Sequence, residues 1–509
     1  MMKITSAIAA DMSPPVAASA LAPRFALRVA LIIGVVAFGD FLFFGHSIGI
    51  SVFLFCVAVA AALLIAQPRS KAAAIATAML ALALLPLVED VSLLAVCIAF
   101  IAFALFAAFI AAGARFDGLA RSAGALLAIG AFQFIPDLVR AHRSGGITVK
   151  PSELTSWLLP VGAGLIFLVL FGVANPLVDK WIAAFNPLRL LEHLDVGRVI
   201  FWVFLLALVW PFVLPRIRKS WRVFAPPIGV QGGGLVMGLF TPQSILRSLI
   251  LFNLMFAVQT AMDIAYLWGG VALPEGMTYA NYAHRGAYPL IATALLAAGF
   301  VLLAMPARHQ PRPLIRWLVL AFILQNVMLV ISSMLRLDLY IETYSLTLLR
   351  VAAFVWMGLV AFGLALILAR IVFGKSNAWL IGANLIALGA TLYVCAFLDF
   401  RGMVASYNVT QHLERGTKID RYYIYTLGPA ALPTLYRLRG DDWATNNGGT
   451  HPEWLTYQIA CLASQHRQHM AGWRAWTFHG HRLLNYLDAN PSAKPQPTEE
   501  GSPCAEEFS

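Results

Sequence analysis

The chain has 509 residues, of which 60% are hydrophobic and only 12% charged, and its net charge is +11. A soluble protein of this length needs far more charged surface, so the composition excludes an ordinary soluble enzyme or binding domain and points to a polytopic membrane protein. The positive excess lies in short stretches between apolar runs, as expected for loops at an anionic leaflet. Nucleic acid is therefore not the expected partner; the lipid bilayer is.

The first 27 residues hold one early Lys and no apolar core long enough for a cleaved signal peptide. They read as an N-terminal cytoplasmic segment ahead of a first span that serves as an uncleaved insertion signal. Apolar runs long enough to cross a bilayer then follow near 28–44, 47–66, 72–88, 91–112, 157–175 and 198–214. The series continues near 248–268, 286–304, 314–335, 346–373 and 377–398. Lipid offers backbone groups no partner and the runs show no barrel-like alternation, so each is expected to be a helix. The shorter run at 122–136 is re-entrant or interfacial in this reading. The expected fold is thus an all-α, polytopic transmembrane bundle of about 11 spans (10–12) over 28–398.

Lys and Arg in the short loops set the orientation. Arg24, Arg28, Arg69, Lys71, Arg115, Arg121, Arg140, Arg143 and Lys150 mark one side. So do Arg216, Arg218, Lys219, Arg222, Arg247, Arg308, Arg312, Arg316, Arg370 and Lys375. This places the N-terminus in the cytoplasm and the C-terminus outside. It leaves Lys180, Arg189 and Arg198 on the outer side, in an amphipathic stretch suited to the membrane surface. From Asp399 the composition becomes mixed. Residues 399–490 read as a small helical extramembrane domain, and 491–509, rich in Pro, Ser and Glu, as a disordered tail.

Charge inside the apolar runs is where function is expected, because an ionisable group in hydrocarbon costs roughly 2.5–3.5 kcal/mol on insertion scales. The 263–290 stretch, DIAYLWGGVALPEGMTYANYAHRGAYPL, places Asp263, His284 and Arg285 around a short link between two spans. The segment LQNVMLVISSMLRLDLYIETYSLTLLR adds Arg336, Asp338, Glu342 and Arg350. Span parity brings all seven to one membrane face. With the next helix starting near Tyr344, Arg350 would lie about 9 Å inside it. In that arrangement Asp263 pairs with Arg336 or Arg350, Asp338 and Glu342 serve Arg336, and His284–Arg285 covers the pair. At 100° per residue Gln325, Ser332 and Arg336 share a face, flanked by Asn326 and Ser333; Asn253, Thr260 and Asn384 add polarity in neighbouring spans. The plainer alternative is that the aromatics form an interfacial belt, the arginines snorkel, and the pair ties helices together. Asp40 stands alone in the first span and is open to either reading.

Other patterns carry less. QGGGLVMG lacks the strand–turn–helix context of a dinucleotide site. His466, His469, His479 and His481 lack acids or paired cysteines at ligand spacing, so no metal and no cofactor is expected. Cys56, Cys97 and Cys395 lie in apolar runs, while Cys461 and Cys504 lie in the polar C-terminal region. No catalytic nucleophile motif is visible.

Three blocks carry a resemblance. FNLMFAVQTAMDIAYLWGGVALPEGMTYANYAHRGAYPLI, SSMLRLDLYIETYSLTLLR and KIDRYYIYTLGPAALPTLYRL resemble the bacterial polytopic family known as domain of unknown function 4173, over roughly residues 160–490. GWRAWTFHGHRLL resembles the helical tail of that family. The resemblance implies a bacterial inner-membrane protein and no particular activity. Three functions remain in order of weight. The first is a transporter or permease, which the polar stripes and charged vestibule suit. The second is a non-catalytic envelope assembly or sensor protein that binds an envelope partner through 399–490. The third is a membrane enzyme acting on a lipid-linked or envelope substrate, with Asp263 or Glu342 as base and arginines holding phosphate.

Overall fold

The computed structural model describes residues 21–66, 71–112, 119–130, 195–215, 241–268, 313–438 and 452–490, with Gln133, Thr293, Leu296, Gly299 and Phe300. Of the described residues 87% are helical, and no strand occurs among them. The expected run at 157–175, the surface stretch before residue 195 and the tail at 491–509 lie outside the described residues, and of the run at 286–304 only Thr293, Leu296, Gly299 and Phe300 are described, each in helical conformation. The chain divides into two compact units, Met1–Pro226 with Met470–His479, and Pro227–His469 with Gly480–Ser509.

The first unit holds α1 (Leu21–Phe43), α2 (Ile50–Ala66), α3 (Lys71–Leu84), α4 (Pro86–Glu89), α5 (Leu93–Ala112), α6 (Leu119–Ile129) and α7 (Val196–Val213). The ambiguous run at 122–136 is α6 over its first part, an 11-residue helix too short to cross a bilayer. Ile32, Leu42, Phe55, Leu63, Phe103, Val209 and Phe212 form the core of this unit. The Met470–His479 segment joins the unit by backbone, with the Ile50 N–H donating to the Trp476 carbonyl at 2.7 Å. Gly49 is needed there, since a Cβ would overlap the backbone of Ala475.

The second unit begins with α8 (Pro242–Asp263), which runs into a π turn at Ile264–Trp268. α9 (Pro313–Tyr344), α10 (Leu348–Val372) and α11 (Asn377–Cys395) follow. Side-chain caps fix the starts. Thr241 accepts from the Ser244 N–H at 3.1 Å, Thr347 from Arg350 at 3.4 Å and Ser376 from Trp379 at 3.1 Å. Beyond Asp399, itself a cap for Gly402, come α12 (Phe400–Arg415), α13 (Arg421–Thr426), α14 (Leu432–Leu438), α15 (Pro452–His469) and α16 (Phe478–Ala489). Gly416, with φ 66°, closes α12. Val404, Val409, Ile424, Leu432, Ile459, Leu462, Leu483 and Leu487 make a core among these helices, and Leu346, Leu348 and Val351 pack against it.

Among the described residues six helices are long and apolar enough to cross a membrane, at Leu93–Ile110, Val196–Val213, Gln243–Tyr266, Pro313–Tyr344, Leu348–Val372 and Asn377–Cys395. Ile50–Ala66 and Ala73–Glu89 are shorter apolar helices. Against the expected about 11 spans, six are found among the described residues, which leave out the run at 157–175 and most of that at 286–304. α9 departs in the other direction. The expected span stops at residue 335, yet the helix continues to Tyr344. At 32 residues it is about 48 Å long, well beyond the ~30 Å hydrocarbon thickness.

Candidate functional site

The site is built on α8 and α9. Asn253 Nδ2 donates to the Leu318 carbonyl at 3.1 Å, while Phe252 stacks on Phe322 and Phe256 meets it edge-on. Further along both helices, Arg336 donates to Asp263. Contacts that advance in the same order along both chains mean that α8 and α9 run parallel, the relation that span parity demands. Arg336 reaches back toward the start of its own helix, as long side chains on helices do, and meets Asp263 at the last turn of α8.

The pair is enclosed, with Asp263 at 1% and Arg336 at 3% exposure. Gln259, one helical turn before Asp263, donates Nε2 to the same carboxylate oxygen at 2.9 Å. The backbone then widens into the π turn, a feature that recurs at functional positions in helices. Asn326, Ser332 and Ser333 lie buried on the same helix as Arg336. Asn326 and Ser333 spend their donors on carbonyls one turn back, Phe322 at 2.7 Å and Leu329 at 2.8 Å. The acceptor oxygens of Asn253, Gln325 and Asn326 are enclosed and receive no hydrogen bond among the described residues. Unmet buried acceptors are rare and call for an explanation, of which ordered water is the commonest.

Of the two partners weighed for Asp263, Arg336 holds it. The allocation of Arg350 to Asp263, with Asp338 and Glu342 serving Arg336, is overturned. Because α10 starts at Leu348 under the Thr347 cap, Arg350 sits only about 3 Å into the helix. Its guanidinium donates to the Tyr344 carbonyl at 2.6 Å and to the Ser345 carbonyl, and it stacks over Tyr340 at 4.5 Å. Ser345 has φ 66°, the left-handed conformation usually given to Gly after a helix. Arg350 therefore clamps the end of α9 by satisfying its last carbonyls. Glu342 faces Arg415 of α12 at 3.6 Å, both exposed. Asp338 is exposed on α9. Thr260 is half-buried on α8. Asn384 donates to Leu380 of its own helix and faces Gly363 of α10. His284 and Arg285 lie outside the described residues.

Two features were missed in the sequence. The turn between α9 and α10 is bracketed by the C-terminal helices. The Asn408 amide exchanges two hydrogen bonds with the backbone of Leu346, at 2.7 and 2.8 Å, and the Tyr423 hydroxyl accepts from Leu348 N–H at 2.9 Å. In the first unit, Asp40 accepts from Arg198 Nε at 2.9 Å and from Trp202 Nε1 at 2.9 Å, and Arg198 also lies over Phe44 at 4.9 Å. Span parity already places the end of the first run and the start of the 198–214 run on one face, so that pairing was open to the same argument that found Asp263. It also gives the outlying Arg198 a reason to stand apart from the other positive loops. His466 is enclosed, with Nε2 against the Gly480 carbonyl at 3.0 Å.

A helical bundle with several apolar, membrane-length helices and an ion pair buried between two of them defines a multi-pass membrane protein. More narrowly, the chain belongs to the family described as domain of unknown function (DUF4153), whose model matches residues 74–438, more than half of the chain. This corrects the number 4173 drawn from the three sequence blocks, all of which fall inside the matched range. Apolar spans with similar polar punctuation look alike across such families. The GWRAWTFHGHRLL segment lies beyond the match. No curated protein and no solved structure matches the chain.

Proposed function

We propose that this protein is a permease-like carrier of a polar solute in a bacterial inner membrane, with its N-terminus in the cytoplasm and its C-terminal helices outside. The observation that carries the reading is the row of enclosed acceptors at Asn253, Gln325 and Asn326 leading toward the Asp263–Arg336 pair. A purely structural tie needs the pair alone. Acceptors left open inside an apolar bundle cost free energy, and a hydrated path or a solute offsets that cost. Arg336 and Asp263 would then supply charge complementary to the solute at one end of the path.

The test is labelling by a water-soluble maleimide in a variant lacking the native cysteines. Single cysteines at Gln325 and Ser332 should react in the folded protein, while one at lipid-facing Leu324 should not. If neither stripe position reacts, the interior is dry and the pair is a tie between helices. A second reading has its own support. The bracket of Asn408 and Tyr423 on the α9–α10 turn links the C-terminal helices to the site-bearing helices, as a sensor or assembly protein with an envelope partner at 399–490 would require.

A further inference from the structure

We propose that Arg474 and the rings around it bind the phosphodiester of a membrane phospholipid, at the end of the first unit where α1 stops and α7 starts. Arg474 lies in the Met470–His479 segment, which belongs to that unit and is fixed there by the Trp476 carbonyl and by the close approach of Ala475 to Gly49. Its guanidinium stands over the Phe41 ring at 4.4 Å and over the Trp473 ring at 4.9 Å. Its Nε is enclosed and meets no acceptor, and no carboxylate pairs with it among the described residues. Ring faces attract a cation but give its N–H groups no hydrogen-bond acceptor of the usual kind. Arg198 stands over Phe44 in the same way, yet Asp40 balances it. Of the two guanidiniums on this end of α1, Arg474 thus carries the uncompensated charge, and an anion completes it.

The surroundings choose the anion. α7 is long and apolar enough to cross a membrane, and Arg198, which meets Asp40, lies in its first turn. The last turns of α1 therefore sit at the depth where hydrocarbon gives way to head groups. Phe41, Ile48, Trp473 and Phe478 are each about half exposed there. A soluble phosphate would leave these apolar side chains in water. A phospholipid covers them with its acyl chains while its phosphate reaches Arg474, and aromatic and basic residues together at this depth are what interfacial anchoring uses. The site shares no residue with the Asp263–Arg336 pair, so it stands whether or not that pair lines a path.

The experiment follows thermal unfolding of the full-length protein in a non-ionic, phosphate-free detergent as single components are added. Dioleoylphosphatidylglycerol should raise the melting temperature. Dioleoylglycerol, with the same chains and no phosphate, should not, and neither should glycerol 1-phosphate, with the phosphate and no chains. In Arg474→Gln the phosphatidylglycerol fraction that gives half of the rise should increase about fivefold, the weight of one cation at an anionic surface. Ile48→Asp changes an exposed residue outside the helices, beside Gly49, and places a negative charge at the patch. It should weaken the lipid in the same direction, and it keeps the test open where Arg474→Gln folds poorly. An equal rise with dioleoylglycerol, a rise with glycerol 1-phosphate alone, or a half-point unchanged in both variants overturns the site.

Discussion

Asp40–Arg198 and Asp263–Arg336 are the same chemical pair set in two environments. Each links two helices that lie far apart in sequence. In the first unit the side chains of Arg198 and Asp40 are 46% and 12% exposed; in the second those of Arg336 and Asp263 are 4% and 1% exposed. The first arginine is about half exposed whether or not its partner is present, and two aromatic rings share its charge. The second arginine has given up its water, so its carboxylate is a condition for its being there. The comparison teaches that an ion pair near a membrane acquires weight from burial and not from bond length or number of contacts.

The largest effect should come from splitting the buried pair. Asp263→Asn and Arg336→Met are each expected to destabilise the protein by about 3–5 kcal/mol, and the double change by clearly less, since no uncompensated charge remains. Thermal unfolding of all three variants in one detergent measures this, and additive losses would break the contrast between the two pairs. An intermediate effect belongs to Asn408→Ala, which strips two hydrogen bonds from the half-buried backbone of Leu346 and should cost about 1–3 kcal/mol. Restoration of stability by Asn408→Asp but not by Asn408→Leu would sharpen the case for the acceptor side of that bracket. The smallest effect is expected from Asp40→Asn. Its melting temperature should move less than that of either buried-pair variant and should converge with the wild type as salt is raised, because an exposed pair is already screened. A loss as large as that of Asp263→Asn would erase the distinction.

Much of the helical architecture was legible in the sequence, because hydropathy reports directly what lipid demands of a backbone. The pairing of Asp263 was legible as a choice between two arginines, because cost and parity narrow the partners of a buried acid. What decided between them was not legible. Two local signals fix the place of Arg350: Thr347 as a cap, which starts α10 late, and the helix-forming run LRLDLYIETY, which lets α9 continue in place of the expected loop. Residues 338 and 342 then ride on a helix face and not in a loop, and Glu342 meets Arg415 from the C-terminal helices. Asn408 and Tyr423 were beyond reach for another reason. Bonds to backbone atoms leave no pattern in the partner's sequence, since any residue at 346 or 348 supplies the same N–H and C=O.

The length of α9 has a mechanical consequence. A straight helix is a stiff rod, and one of about 48 Å pivoting about its centre by roughly 5° swings each tip by about 2 Å. That displacement is the difference between a made and a broken polar contact. Arg336 sits partway along the rod and Glu342 near its tip, so the same small rocking that strains the inner pair is magnified where Glu342 meets Arg415. The helix is thus a lever whose inner arm carries the Asp263–Arg336 pair and whose outer arm ends at the Glu342–Arg415 contact.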